Sequence, residues 1–235
     1  MRQRLQLLAR RHPRYGYRRI HALLRREGWA CNRKRVQRLW RDEGLGLPAR
    51  AKRRRRGPRM PGHLVAAHPD QVWAIDFVSD RTADGRPLKI LTVTDEHTRE
   101  ALATPAGRRM GADDTVNTLE RIVEQRGRAP ELIRCDNGPE FVSQALRDWC
   151  RFAGAATGYI EPGAPWQNPF AESFNGHPRR ELLEMESFNS LFEARPLLDD
   201  WRLEYNHYRP HQSLNYMTPA EYARRYRTDT QPELS

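Results

Sequence analysis

Charge is divided unevenly along this chain, and the division limits where a core can form. Residues 1–60 carry 21 Lys or Arg against three acids (Glu27, Asp42 and Glu43), a net of +18. The other 175 residues carry 20 bases and 27 acids, a net of −7. So dense a positive segment repels itself unless a polyanion relieves it. The split points to a nucleic-acid grip joined to a mildly acidic body, with a solvated basic surface as the plainer alternative. Only Lys34, Lys52 and Lys89 of the 41 bases are lysine. Arginine suits bidentate phosphate contacts, although a genome's base composition produces the same bias. Hydrophobic residues make up 38% of the chain, so a core must be concentrated in part of it. No apolar run approaches the ~20 residues of a membrane span, and MRQRLQLLARR lacks the form of a secretory signal. Cys31, Cys135 and Cys150 are an odd set without CxxC spacing. That argues against a disulfide framework or a cysteine zinc site and fits a reducing cytoplasm.

Within residues 1–47 the apolar spacing predicts three short helices. Leu5 and Leu8 mark the first, and HPRYGY is a turn. Ile20, Ala22, Leu23 and Leu24 mark the second, which stops at Gly28. Asn32 is placed to cap a third, with Val36, Leu39 and Trp40 on one face and Gly44 at its end. Three such helices around the turn GWACN read as a helix-turn-helix. Arg33, Lys34, Arg35, Arg38 and Arg41 then lie off the apolar face, free to meet DNA. A helical bundle with basic decoration is the alternative. Residues 48–66 have almost no large apolar residue and include the run Arg53, Arg54, Arg55 and Arg56. They are expected to form a linker that tracks phosphates.

The composition changes after that. QVWAIDFVSD, LKILTVTD and REALATPA read as strands, and GADDTVNTLERIVEQRG as a helix. PELIRCD is a strand, FVSQALRDWCRFAG a helix, and ATGYIEP a short strand before another helix. This order predicts an α/β layer whose sheet begins antiparallel and gains parallel strands, over residues 67–186. Residues 187–235 form a helical tail.

Three acids stand out by position. Asp76 lies inside the first strand among Ile75, Phe77 and Val78, where a charge is costly unless compensated. Asp136 ends the fourth strand, the end at which α/β sheets favour ligand sites, and Asn137 and Gly138 shape the turn that aims it. Glu172 falls at the end of the first turn of a helix that Asn168 can cap and Pro169 can begin. There are 59 residues between Asp76 and Asp136 and 35 between Asp136 and Glu172.

This pattern resembles the DDE catalytic core of retroviral-type integrases. HPRYGYRRI, VWAIDF, CDNGPEF, GAPWQNPFAESFNG and YNHYRPHQSLNYMTPAEY more closely resemble, in order, the motifs of bacterial insertion-sequence transposases of family three, the product of their second reading frame. The resemblance implies a ribonuclease H-like mixed sheet flanked by helices, and a transposase that frees a 3′-hydroxyl at element ends and joins it to target DNA. It implies Asp76, Asp136 and Glu172 as catalytic acids holding two Mg²⁺ ions, with Mn²⁺ as a substitute. Such ions prefer carboxylate and water oxygens, and a pair of them activates the attacking oxygen and stabilises the leaving one. It implies Arg179 as a grip on a DNA phosphate, and places Arg209 and His211 in a tail near DNA or core. Double-stranded DNA, a homo-oligomer on that DNA and an upstream reading-frame product are the partners expected. The location expected is the bacterial cytoplasm, at the nucleoid when bound.

Some residues carry plainer expectations. Asp95 reads as a turn acceptor and Glu140 as a hydrogen-bonding residue in a first turn. His97 and His177 read as surface residues. Pro178 and Pro196 depart from the family pattern and interrupt helical stretches, since proline in a helix interior costs about 3 kcal/mol. They raise the alternatives of a catalytically dead DNA-binding relic or repressor. A ribonuclease H-like structure-specific nuclease is the third reading.

Overall fold

The computed structural model describes residues 1–46, 64–138, 140–159 and 169–230, without the side chains of Tyr159, Pro169, Glu172, Asp229 and Thr230. Three helices come first: α1 (Arg2–Arg11), α2 (Tyr17–Arg26) and α3 (Arg33–Asp42). Their apolar faces close on one another through Leu5, Leu8, Ile20, Leu23, Leu24, Val36, Leu39 and Trp40. The Asn32 side chain caps α3 by accepting from Arg35 N at 2.8 Å, as its position predicts.

The second unit is a six-stranded sheet: β1 (Val72–Arg81), β2 (Pro87–Asp95), β3 (Ala101–Ala103), β4 (Ala106–Gly107), β5 (Leu132–Cys135) and β6 (Ala156–Tyr159). The order is β3-β2-β1-β5-β6, with β4 also on β2. β2 pairs antiparallel with β1, β3 and β4, whereas β5 and β6 join in parallel. This is the antiparallel start with parallel additions that the order of elements predicts. The proposed third strand is two short pieces, broken between Ala103 and Ala106.

Because side chains alternate across a strand, the sheet has two cores. Trp73, Ile75, Leu91, Val93, Ile133 and Cys135 face α4 (Ala112–Arg126) and α5 (Gln144–Ala153). Val78, Leu88 and Ile90 face α6 (Pro169–Pro178) and α7 (Leu191–His207), where Phe174, Leu198, Trp201 and Tyr205 pack. α5 starts at Gln144, capped by Ser143, and not at Phe141. Phe141 is instead buried in the preceding turn and stacks on Phe77 at 5.1 Å. α8 (Pro219–Thr230) ends the described chain, and none of the described helices is long and apolar enough to cross a membrane.

Neither proline breaks its helix. Pro178 is the last residue of α6, and a wider π-type turn follows directly, Arg179–Leu183, in which Glu184 N reaches Arg179 O at 2.8 Å. Widening a helix is one way to absorb a missing backbone donor. α7 runs through Pro196, which is exposed on its surface.

Acids in the β1–β2 region are tied down by arginines. Asp95 is 1% exposed and accepts from Asp70 N at 2.6 Å and from His97 N and Thr98 N at 2.8 Å. Burial pushes its carboxyl upward and these backbone donors pull it back. Asp95 is the turn acceptor the sequence suggests. Arg126 joins Asp70 at 2.5 Å and Glu100 at 3.3 Å, and buried Arg134 joins buried Glu96 at 2.5 Å.

Candidate active site

The parallel register of β1 and β5 pairs Val72 with Leu132, Trp73 with Ile133 and Ala74 with Arg134. Continued two residues, the same offset sets Asp76 beside Asp136, where adjacent strands run about 4.8 Å apart. Alternation puts both on the α6 side of the sheet, since their neighbours Ile75, Cys135 and Ile133 line the α4–α5 core. Cys135 senses both acids. Its thiol is pushed up to about 12, chiefly by burial, with repulsion from Asp136, Cys150 and Asp76 adding to it.

Each acid is held by a neutral donor. Asp76 Oδ1 accepts from Phe77 N at 2.8 Å, and Oδ2 accepts from Asn175 Nδ2 at 2.7 Å. Asn175 is itself aimed by Thr92, whose hydroxyl donates to Asn175 Oδ1 at 2.8 Å. Asp136 Oδ1 accepts from Gly138 N at 2.9 Å. Among the described residues Asp136 has no ion-pair partner, in contrast to Asp70, Glu96, Glu140 and Glu181. A carboxylate left without a cation beside a second carboxylate suits a divalent ion.

Glu172 lies in α6, one turn before Asn175. Residues three apart on a helix are neighbours on its surface, so the backbone that carries Glu172 is the backbone that brings Asn175 to Asp76. Ala171, Phe174 and Pro178 of α6 are buried, and Phe174 packs with Val78, Leu88 and Ile90 of the sheet. Among the described residues no three His, Cys, Asp or Glu side chains gather as a metal site; the Glu172 side chain falls outside them. Asn168, with its expected cap, also lies outside the described residues.

Gly138 fits this corner for want of a side chain. A Cβ there would lie 2.9 Å from Asp136 Oδ1 and 3.1 Å from Glu140 Oε2. Glu140 precedes α5 and accepts from Lys89, the hydrogen-bonding role expected of it, although outside a helical turn.

The expected DNA contacts divide. Arg33, Lys34, Arg35, Arg38 and Arg41 are all exposed on α3, away from buried Val36, Leu39 and Trp40. Arg179 is exposed in the π-type turn. Arg53, Arg54, Arg55 and Arg56 lie outside the described residues. Arg209 and His211 are buried, at 2% and 6% exposure. Arg209 donates to Glu181 Oε1 at 2.6 Å and Oε2 at 2.8 Å, and it also meets His177 at 3.0 Å and His211 at 3.4 Å. His177 is therefore no surface residue, and His97 packs against Tyr222 and Tyr226 at 5.6 and 5.0 Å. Sequence reading also passed over Asn175, Thr92 and Lys89. For Asn175 the signal was present, in its spacing of three from Glu172.

Comparison with known proteins agrees with this fold. Family profiles described as Integrase core domain match residues 66–165 and 153–219, and one described as HTH-like domain matches residues 1–56. The insertion element IS407 uncharacterized 31.7 kDa protein of Burkholderia multivorans is 41% identical over 226 residues, 95% of this chain and 80% of that one. The insertion element IS476 uncharacterized 39.2 kDa protein of Xanthomonas euvesicatoria is 41% identical over 225 residues. That match covers 96% of this chain but 65% of that one, so the chain spans about two thirds of this relative's length. The Escherichia coli transposase InsD for insertion element IS2 is 29% identical over 90% of this chain and 74% of its own. Among solved structures, the HTLV-2 integrase catalytic core in complex with magnesium superposes with a TM-score of 0.53 at 16% identity, over 67% of this chain and 98% of that one. The simian T-cell lymphotropic virus intasome chain gives 0.58 at 16% identity, over 94% and 74%. At such identity these two establish the ribonuclease H-like fold. With an HTH-like domain, an integrase core and these relatives, the chain belongs to the family-three transposases of bacterial insertion sequences.

Proposed function

We propose that this transposase cleaves DNA at element ends and joins the freed 3′-hydroxyl to target DNA, with Asp76, Asp136 and Glu172 as its catalytic acids. The observation that supports this reading is the register of β1 and β5, which, continued two residues past its last pair, brings Asp76 level with Asp136, while Asn175 of α6 bonds Asp76. Asp76, Asp136 and Glu172 would hold Mg²⁺ or Mn²⁺; the donor set is all oxygen, as these ions prefer. When bound, two such ions supply an activated attacking oxygen and charge balance on the leaving oxygen.

The chain's own residues do the rest. Asn175 and Thr92 fix the Asp76 carboxylate before substrate arrives, and Gly138 N fixes that of Asp136. Arg179, seven residues after Glu172 and exposed, takes a DNA phosphate beside the acids. α3 lays its five basic residues along duplex DNA, with Arg53 to Arg56 adding phosphate contacts. Two element ends must be processed together, so the working form is an oligomer on DNA. An upstream reading-frame product is a candidate partner for end recognition.

The test is strand transfer of a labelled 3′-hydroxyl oligonucleotide, copied from the DNA flanking the gene, into supercoiled plasmid with Mg²⁺ or Mn²⁺. Joined product that disappears in Asp136→Asn supports the assignment. Equal joining by Asp136→Asn rejects it. Binding without joining, not relieved by the upstream product, favours a dead core.

A further inference from the structure

Lys89 is held on three sides. Its Nζ pairs with Glu140 Oε1, donates to Met110 O at 3.0 Å and lies 4.0 Å from the centre of the Phe77 ring. Phe77 follows Asp76 in β1 and stacks on Phe141, while Glu140 and Phe141 follow Asp136. The pair is half-buried, and Lys89 holds the Glu140 carboxyl below its ordinary range. The described residues between Asp136 and α5 bond to one another. Phe141 N and Val142 N donate to Gly138 O at 2.9 and 3.1 Å, and Ser143 Oγ donates to Glu140 O at 3.3 Å. The two oxygens of Glu140 face different ways. Oε1 meets Lys89, while Oε2 lies 3.1 Å from where a Gly138 Cβ would sit, a place Asp136 Oδ1 approaches to 2.9 Å.

We infer that the Lys89–Glu140 pair is a clamp that positions Asp136, by pinning its loop to β2 and by neutralising the Glu140 carboxylate that shares the Gly138 corner with it. This inference rests on the reading of Asp136 as a metal-holding acid. Lys89 and Glu140 touch neither metal nor DNA in it; they act through the loop. Without Lys89, Glu140 keeps its charge across one glycine from Asp136, and like charges so close disfavour each other. Without Glu140, Lys89 keeps its carbonyl and ring contacts, but the loop loses its charged anchor. Partners that orient a metal's ligands typically account for about 10–100-fold in affinity.

The experiment is Mn²⁺ binding to the full chain, followed by electron paramagnetic resonance of the free ion, with thermal unfolding run in parallel. The variants are Lys89→Met, Glu140→Gln, the two combined, Lys89→Arg and Asp136→Asn. The clamp predicts that Lys89→Met and Glu140→Gln each weaken Mn²⁺ by about tenfold. The double variant should be no weaker than Lys89→Met, and Lys89→Arg should restore binding, all without loss of cooperative unfolding. Loss of Mn²⁺ in Asp136→Asn with native affinity in Lys89→Met and Glu140→Gln overturns the clamp and leaves the metal reading intact. Tighter binding in Lys89→Met overturns it too, because Glu140 would then be a ligand in waiting. Native affinity in Asp136→Asn removes the metal reading itself. If Lys89→Met fails to fold, Lys89→Arg and Glu140→Gln decide.

Discussion

A single missing methyl group shapes the corner around Asp136. Gly138 is needed there for closeness, since an added Cβ would press on the carboxylates of Asp136 and Glu140. Both are ends of side chains that can swing aside, so Gly138→Ala is expected to unfold within about 1 kcal/mol of the parent. Its strand transfer should nevertheless fall about tenfold or more, because ligand geometry tolerates little displacement. Thermal unfolding and the joining assay on one preparation check this, and a variant that joins at the parental rate contradicts it. Asp76 is the opposite case. Its place in a core strand looks costly in sequence, yet it is only half-buried and is met by Phe77 N and Asn175.

Among the elements, α3 and α7 make contrasting predictions. Asn32 satisfies one of the free donors at the start of α3, and Asn32→Ala is expected to cost about 1 kcal/mol. Hydrogen exchange at the first amides of α3 reports it. The exposed bases of α3 act on affinity instead. Removing one phosphate-binding base lowers the slope of log affinity against log salt by about 1. Arg38→Ala should therefore flatten that slope for any duplex, measured by fluorescence anisotropy, while the fold is untouched. In α7, Pro196 leaves a helix interior one backbone bond short and is exposed. Pro196→Ala should stabilise the chain by about 1–3 kcal/mol, read as a higher unfolding midpoint. Pro178 differs because it is buried and the π-type turn already takes up its missing donor. Pro178→Leu should leave strand transfer unchanged, and a large rescue would show that the proline does impair the site.

Across the whole molecule, the N-terminal helices, α6 and the tail meet at one buried polar knot. Arg209 of the tail binds Glu181 and His177, and Arg19 of α2 comes within 3.8 Å of Glu181. Farther along the same seam His12 reaches Glu204 at 3.1 Å, and Arg26 reaches Tyr216 O at 3.1 Å. The knot holds its histidines neutral. Burial, then Arg209 and Arg19, lower His211 to about 2, and the same kind of surroundings lower His177. The sign follows from proton counts. Below the ordinary histidine value near 6.5 the unfolded chain binds protons that the folded chain refuses, so stability falls as pH drops. The unfolding midpoint should be flat between about pH 7 and 8 and decline steadily below about pH 6. Replacing His177 and His211 by Gln should reduce that decline; an unchanged slope would mean that other groups cause it.

The sequence by itself determined the order of helices and strands and the basic face of α3, and it supplied the three candidate acids. Each of these is written locally: period and capping residues mark α3, strand patterning marks β1 and β5, and Asp-Asn-Gly marks the turn after Asp136. Tertiary structure alone decided which distant residues serve those acids. Lys89 meets Glu140, Asn175 meets Asp76, and Arg209 meets Glu181 across long stretches of chain. No periodicity encodes such pairs, because each depends on register between strands and on the seating of α6 over them. The buried histidines and the π-type turn were hidden for the same reason. A residue's surroundings are set by packing, and proline's cost depends on whether the helix around it can widen.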